Sequence, residues 1–160
     1  MNKIARQVAG LTLAGALLSL ASAGNGTAAN ARLASTAKPI AIKVYKTPTC
    51  GCCKGWVQHL RDNGFKVETV DMPDLSMVKQ KYGVKPALQA CHTAVVNGYV
   101  VEGHVPADLI MKLVKEHPAV VGLAVPGMPM GSPGMEGASR VAYDVLTFDR
   151  AGRTRVYAHR

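Results

Sequence analysis

Three of the chain's four cysteines stand within four residues, in the run Cys50-Gly51-Cys52-Cys53, and that run marks a change of periodicity. Ahead of it, Ile40 to Tyr45 reads as a short buried strand. Behind it, Cys53, Trp56, Val57 and Leu60 fall on one face of a helix from about Cys53 to Asn63, with Gly64 suited to end it. The thiols therefore occupy a strand-to-helix turn, at a helix N-terminus. Free backbone N–H groups and the positive end of the helix dipole favour thiolate over thiol there. A thiolate is both the nucleophile of redox chemistry and the ligand of a soft metal.

The elements that follow build a mixed α/β domain. Phe65 to Val70 alternates as a second strand, and a β–α–β unit of this length implies parallel pairing. Asp74 can cap a helix that carries Leu75, Val78 and Tyr82 on one face and ends at Gly83. Lys85 to Cys91 reads as a connecting loop. Asn97-Gly98 between Thr93–Val96 and Tyr99–Glu102 is a strong hairpin signal. Pro106 suits the first turn of a helix burying Leu109, Ile110, Leu113 and Val114, which stops before Pro118. The order β-α-β-α-β-β-α is that of a thioredoxin-like core, and Cys50 and Cys53 have the CxxC spacing of such proteins. Residues 119–139 are rich in Gly and Pro, carry Met128, Met130 and Met135, and read as a loop. Val141–Phe148 and Thr154–Ala158 then predict a C-terminal β-hairpin that extends the sheet or packs on its edge.

The first residues have the form of a secretory signal. Lys3 and Arg6 precede an apolar stretch from Val8 to Leu20, too short for an ordinary membrane span, and Ala21-Ser22-Ala23 is a small-residue cleavage site. The organisation read from sequence is a signal peptide over 1–23, a polar lead-in over 24–38, a core over 39–117, and a loop plus hairpin over 118–160. No cysteine lies near the cleavage site, so no lipid anchor is expected after cleavage. The signal lacks a twin-arginine pair, and export of an unfolded chain argues against an iron–sulfur cluster and leaves copper or zinc. The formal charge of +9 includes Lys3 and Arg6 of the signal, and the remaining cations are scattered apart from Arg150, Arg153, Arg155 and Arg160. That distribution reads as a solvated basic face and argues against a nucleic-acid partner.

Topology brings distant residues to the thiols. The first hairpin strand should start beside the end of the cysteine-bearing strand, and the second should return to the same edge. Cys50, Cys52, Cys53, Cys91 and His104 are therefore expected to converge. Three readings suit such a cluster. It is a soft-metal site, with the adjacent Cys52 and Cys53 better suited to bridging several Cu(I) ions than to one tetrahedral zinc. Alternatively it is a thiol–disulfide oxidoreductase using Cys50 and Cys53, or a pair of structural disulfides. A three-cysteine turn makes a poor staple, because closing so short a loop removes little chain entropy.

Tyr45 to Trp56, Cys91-His92-Thr93 and Gly98 to Pro106 closely resemble the CopG-like periplasmic copper proteins of Gram-negative bacteria, over about residues 40 to 117. The resemblance implies a thioredoxin-like fold, a periplasmic location and a part in copper resistance. It implies Cys50, Cys52, Cys53 and Cys91 as the ligands of a thiolate-bound copper site, with several Cu(I) ions as the expected cargo. Sequestration, relay to another periplasmic copper protein and redox handling are all compatible with it. Cys52 is extra relative to thioredoxins, and Cys91-His92-Thr93 replaces their usual cis-proline, which favours metal over dithiol exchange. His104 is a candidate ligand or supporting donor. Met128, Met130 and Met135 are lesser candidates, since flexible methionines also fill gaps in packing. Trp56 reads as core, His59 as surface, and His117 and His159 as helix-end and tail residues.

Overall fold

The computed structural model describes residues 38–160; the expected signal peptide and all but Lys38 of the expected lead-in lie outside them. The described residues form one mixed seven-stranded sheet with three α-helices and a short 3₁₀ turn. Strand β1 (Ala41–Lys46) leads through helix α1 (Gly51–Asp62) to β2 (Lys66–Asp71), parallel to β1. Helix α2 (Ser76–Lys81) and the 3₁₀ turn at Pro86–Leu88 precede the hairpin of β3 (Thr93–Val96) and β4 (Tyr99–Glu102). Helix α3 (Ala107–Glu116) is followed by β5 (Gly122–Ala124), β6 (Asp144–Phe148) and β7 (Thr154–His159). Across the sheet the order is β2-β1-β3-β4-β5-β6-β7.

Local chemistry explains most boundaries. Asn97 and Gly98 both have positive φ, at 46° and 84°, as a tight two-residue hairpin turn requires. Helix α1 ends with Gly64 N–H on the Arg61 carbonyl and Phe65 N–H on the Leu60 carbonyl, a closure that needs the left-handed conformation of Gly64. It begins earlier than the periodicity predicts, at Gly51, because Cys50 itself caps it: the Cys53 N–H donates to Cys50 Sγ. Asp74 acts one position further out than predicted, accepting from the Ser76 N–H and hydroxyl ahead of α2. Pro106 stands at the N-cap of α3 and not inside its first turn.

Two apolar layers sandwich the sheet. Trp56, Val57 and Leu60 of α1 and Leu109, Ile110 and Leu113 of α3 pack with Ile42, Val44, Ala94, Val96, Val101, Leu123 and Val145. Val84 and Leu88 pack with Val100, Ala124 and Phe148 in a second cluster. Val100 and Val101 are neighbours in β4, so the two clusters lie on opposite faces.

The stretch read as a loop over 119–139 contains β5, which pairs parallel with β4 and antiparallel with β6. The glycine that suggests a loop is the residue that permits the strand: a Cβ at Gly122 would collide with the Val100 carbonyl. Only glycine lets β5 lie this close to β4. The C-terminal hairpin thus extends the sheet through β5.

His59, expected at the surface, is half-buried, and its Nε2 accepts the Ala107 N–H at 3.1 Å, so it serves the start of α3. That acceptor exists only on the neutral ring. Burial depresses the His59 pKa below its ordinary 6.5, against a smaller upward pull from Glu136, Asp108 and Asp62. The stabilisation is therefore present above the unfolded pKa and is lost as pH falls through the lower folded value. Thermal melts between about pH 7 and pH 5 should show wild type losing about 1 kcal/mol relative to His59→Gln, whose amide oxygen accepts at any pH.

Candidate metal centre

Strand register brings the chemistry to one edge. Tyr45 lies opposite Thr93, Thr93 opposite Glu102, and Glu102 beside Ala124. Each of these positions is at or next to the end of its strand. Cys50 to Cys53 follow β1, Cys91 and His92 precede β3, and His104 follows β4.

The four cysteine sulfurs lie within 4.8 Å of one another. Cys50 at the cap and Cys53 in the first turn of α1 face the same way and form a disulfide, their Cα atoms 5.3 Å apart. Cys52 projects beside them, with its Sγ 3.4 Å from Cys50 Sγ and 3.8 Å from Cys91 Sγ. Cys53 is fully buried and the other three are half-buried. The first turn of α1 holds no acidic residue, so nothing there offsets the positive end of the helix.

His104 and His92 close the site from below. His104 Nδ1 lies 2.8 Å from the Pro133 carbonyl, which can only accept, so Nδ1 carries the proton. Burial lowers the His104 pKa, more than the Pro133 carbonyl and Glu136 raise it. The neutral ring then presents its Nε2 lone pair to Cys91 Sγ at 3.0 Å. Burial first, then Cys52, pushes the Cys91 thiol up to about 12, so the metal-free residue is a neutral S–H facing that lone pair. His92, whose direction is not legible from sequence, points inward. Its Nδ1 is 3.3 Å from Cys91 Sγ and its ring stacks on Trp56 with centroids 4.2 Å apart. Burial holds its pKa well below the ordinary value, and its Nε2 has no hydrogen-bond partner among the described residues. Cys91, His92 and His104 thus form a second donor group that shares a sulfur with the first.

The methionine loop also reaches this edge. Its sequence position after α3 places its start at the far edge, but β5 runs parallel to β4 and returns the chain. Gly127 N–H bonds to the Gln89 carbonyl, and Gly134 packs on the first turns of α1. A Cβ at Gly134 would stand 2.6 Å from both the Cys52 carbonyl and the Trp56 nitrogen. Met128 is half-exposed, and the Met130 methyl lies close to Gly137, where a Cβ would fall 2.7 Å from it. Met135 is half-buried in the same turn.

A buried polar group beside the site escapes a sequence reading. Lys79 Nζ lies 2.5 Å from Glu102 Oε1, and Thr93 donates to Glu102 Oε2 at 2.6 Å. The signal was present: Lys79 completes the i, i+3, i+4, i+7 face with Leu75, Val78 and Tyr82, and Glu102 shares the inward parity of Val100. A groove of about 790 Å³ lined by Tyr82, Val100, Val121 and Arg150 lies at the opposite end of the sheet and touches none of the thiols.

Residues 88–135 match a family model described as a protein of unknown function, DUF411. Two solved structures of the copper resistance protein CopG, forms 1 and 2, are 49% identical to the chain with TM-score 0.72. Each covers 77% of this chain and is itself covered to 99% (form 2) and 98% (form 1). No curated protein matches.

Gly134→Ala should push the loop off α1, through both the close contact and the positive φ of 84°. The expected cost is about 1–3 kcal/mol, with loss of the His104–Pro133 bond. Nitrogen NMR of the His104 ring checks this: the Nδ1–H tautomer of wild type should give way to a mixture in the variant.

Proposed function

Because the chain belongs to the family of the copper resistance protein CopG, we propose that it is an exported protein holding Cu(I) among the thiolates of Cys50, Cys52, Cys53 and Cys91. The carrying observation is a group of four cysteine sulfurs, with no carboxylate among them in the described residues. Sulfur donors select soft ions, and Cu(I) is the soft ion that suits an exported chain. At metal–thiolate distances of about 2.3 Å, sulfurs 3.8 Å apart can share one ion. Four sulfurs this close, two of them adjacent in sequence, favour several bridged Cu(I) ions over one zinc. His104 is the proposed additional donor or support, since a ring whose Nδ1–H is anchored to a carbonyl offers Nε2 in a fixed direction. Met128, Met130 and Met135 would serve the loop and not the ion.

In this reading residues 39–117 are a thioredoxin-like core put to metal binding, in keeping with the order β1-α1-β2-α2-β3-β4-α3. Residues 118–160 append a strand and hairpin, and residues 1–23 direct export to the periplasm. The role is copper sequestration, relay or redox handling in copper resistance, with a second periplasmic copper protein as the expected partner. Among the described residues no helix is long and apolar enough to cross a membrane.

The Cys50–Cys53 disulfide supports a second reading, a thiol–disulfide oxidoreductase, and it also sets a condition on the first: four thiolates exist only after its reduction. Offering Cu(I) and Zn(II) together to the reduced protein without oxygen, then analysing bound metal, separates the two. Several Cu(I) ions per chain are expected, and fewer when the disulfide is kept. Cys52→Ser should lower the copper count while dithiol exchange persists, and Cys91→Ser should harm copper binding far more than exchange. An unchanged copper count in both variants would overturn the cage.

A further inference from the structure

Of the four sulfurs, three ride on the cap and first turn of α1, and Cys91 alone comes from a loop. What fixes that loop is visible one residue earlier. The Ala90 N–H donates to Glu102 Oε1 at 2.7 Å. The same oxygen takes Lys79 Nζ, and the other carboxylate oxygen takes the Thr93 hydroxyl, which itself accepts from Lys79 at 3.2 Å. Glu102 is fully buried, and Lys79 is 6% exposed.

We propose that Glu102, held by Lys79 and Thr93, is a positioning residue that sets Cys91 against Cys52 by clamping the Ala90 N–H. The argument is one of economy and direction. Apolar side chains can usually replace a buried ion pair without loss of stability. This pair spends its remaining acceptor on a backbone donor next to a thiol. It also ties together three segments: α2 through Lys79, the start of β3 through Thr93, and the loop through Ala90. The Gly103 N–H on the His92 carbonyl holds the other side of Cys91, so Cys91 sits between two anchors that both trace to the end of β4. The Cys52–Cys91 separation of 3.8 Å depends on both.

The proposal rests on the copper reading only for its purpose, and its test does not need copper. Two paired variants remove the charges together, so that neither leaves a lone buried ion. Lys79→Met with Glu102→Gln keeps an oxygen for the Ala90 N–H; Lys79→Met with Glu102→Leu removes it. The first readout is the alkylation rate of Cys91 in the metal-free Cys52→Ser background with the Cys50–Cys53 disulfide intact. It should match the Lys79/Glu102 wild-type form for the Gln pair and rise about tenfold for the Leu pair. The second readout is loss of Cu(I) to a chelator from the reduced protein with Cys52 present. It should be about tenfold faster for the Leu pair only. Equal behaviour of the two pairs in alkylation, whether both unchanged or both raised, overturns the clamp. Absence of bound copper in the wild type would instead overturn the functional reading and leave the alkylation result standing. If the Leu pair does not fold, amide exchange in wild type decides: slow exchange at Ala90, comparable to the β3–β4 ladder, supports the clamp, and fast exchange overturns it.

Discussion

Everything at the thiol edge depends on strand register. Side chains alternate across a sheet, so a slip of one residue would exchange its two faces. The pairing of Thr93 with Glu102, and of Tyr45 with Thr93, is therefore decisive. In the observed register His92 and Ala94 face α1, while Thr93 and Glu102 face α2. The Asn97-Gly98 turn sets that register in the hairpin, because its geometry admits few loop lengths. A turn at one end of the sheet thus decides which side chains meet at the other.

The two faces do different work near the cysteines. On the α1 face, Trp56 supplies an apolar wall, stacks on His92, and donates its indole N–H to the Val105 carbonyl at 2.9 Å. Three residues on, His59 reaches the Ala107 N–H. One helix face therefore grips the connection between β4 and α3 on both sides of Pro106, just after His104. On the α2 face the contacts are charged and satisfied. A cage between an aromatic wall and a closed polar network would lose little freedom on taking up the proposed ion, which is how preorganised sites gain affinity.

Much of this was legible without coordinates. Strand directions and the hairpin signal suffice to bring Cys91 and His104 to the thiol motif, and the apolar faces of α1 and α3 are as periodicity predicts. What escaped has a common cause, in that residue type speaks for the average environment and not for a particular neighbour. Gly122 signals a loop on average, yet here it is what lets two backbones approach. Lys79 signals solvent, yet Glu102 and Thr93 replace its hydration. His59 has polar neighbours in sequence, but its partner is an N–H at position 107. The missed strand also hid the return of the methionine loop to the site, since a loop's destination depends on the strand that carries it.

Cys52 and Cys91 are 39 residues apart in sequence and 3.8 Å apart in space. An ion held by both is a cross-link as well as a cargo. It closes a loop that includes α1, β2 and α2, and the unfolded chain loses the corresponding freedom. Occupancy and folding are then linked, because anything that binds only the native state stabilises it by mass action. The protein's lifetime in its compartment would in this way follow the supply of the ion, with the loaded chain outlasting the empty one under proteolysis.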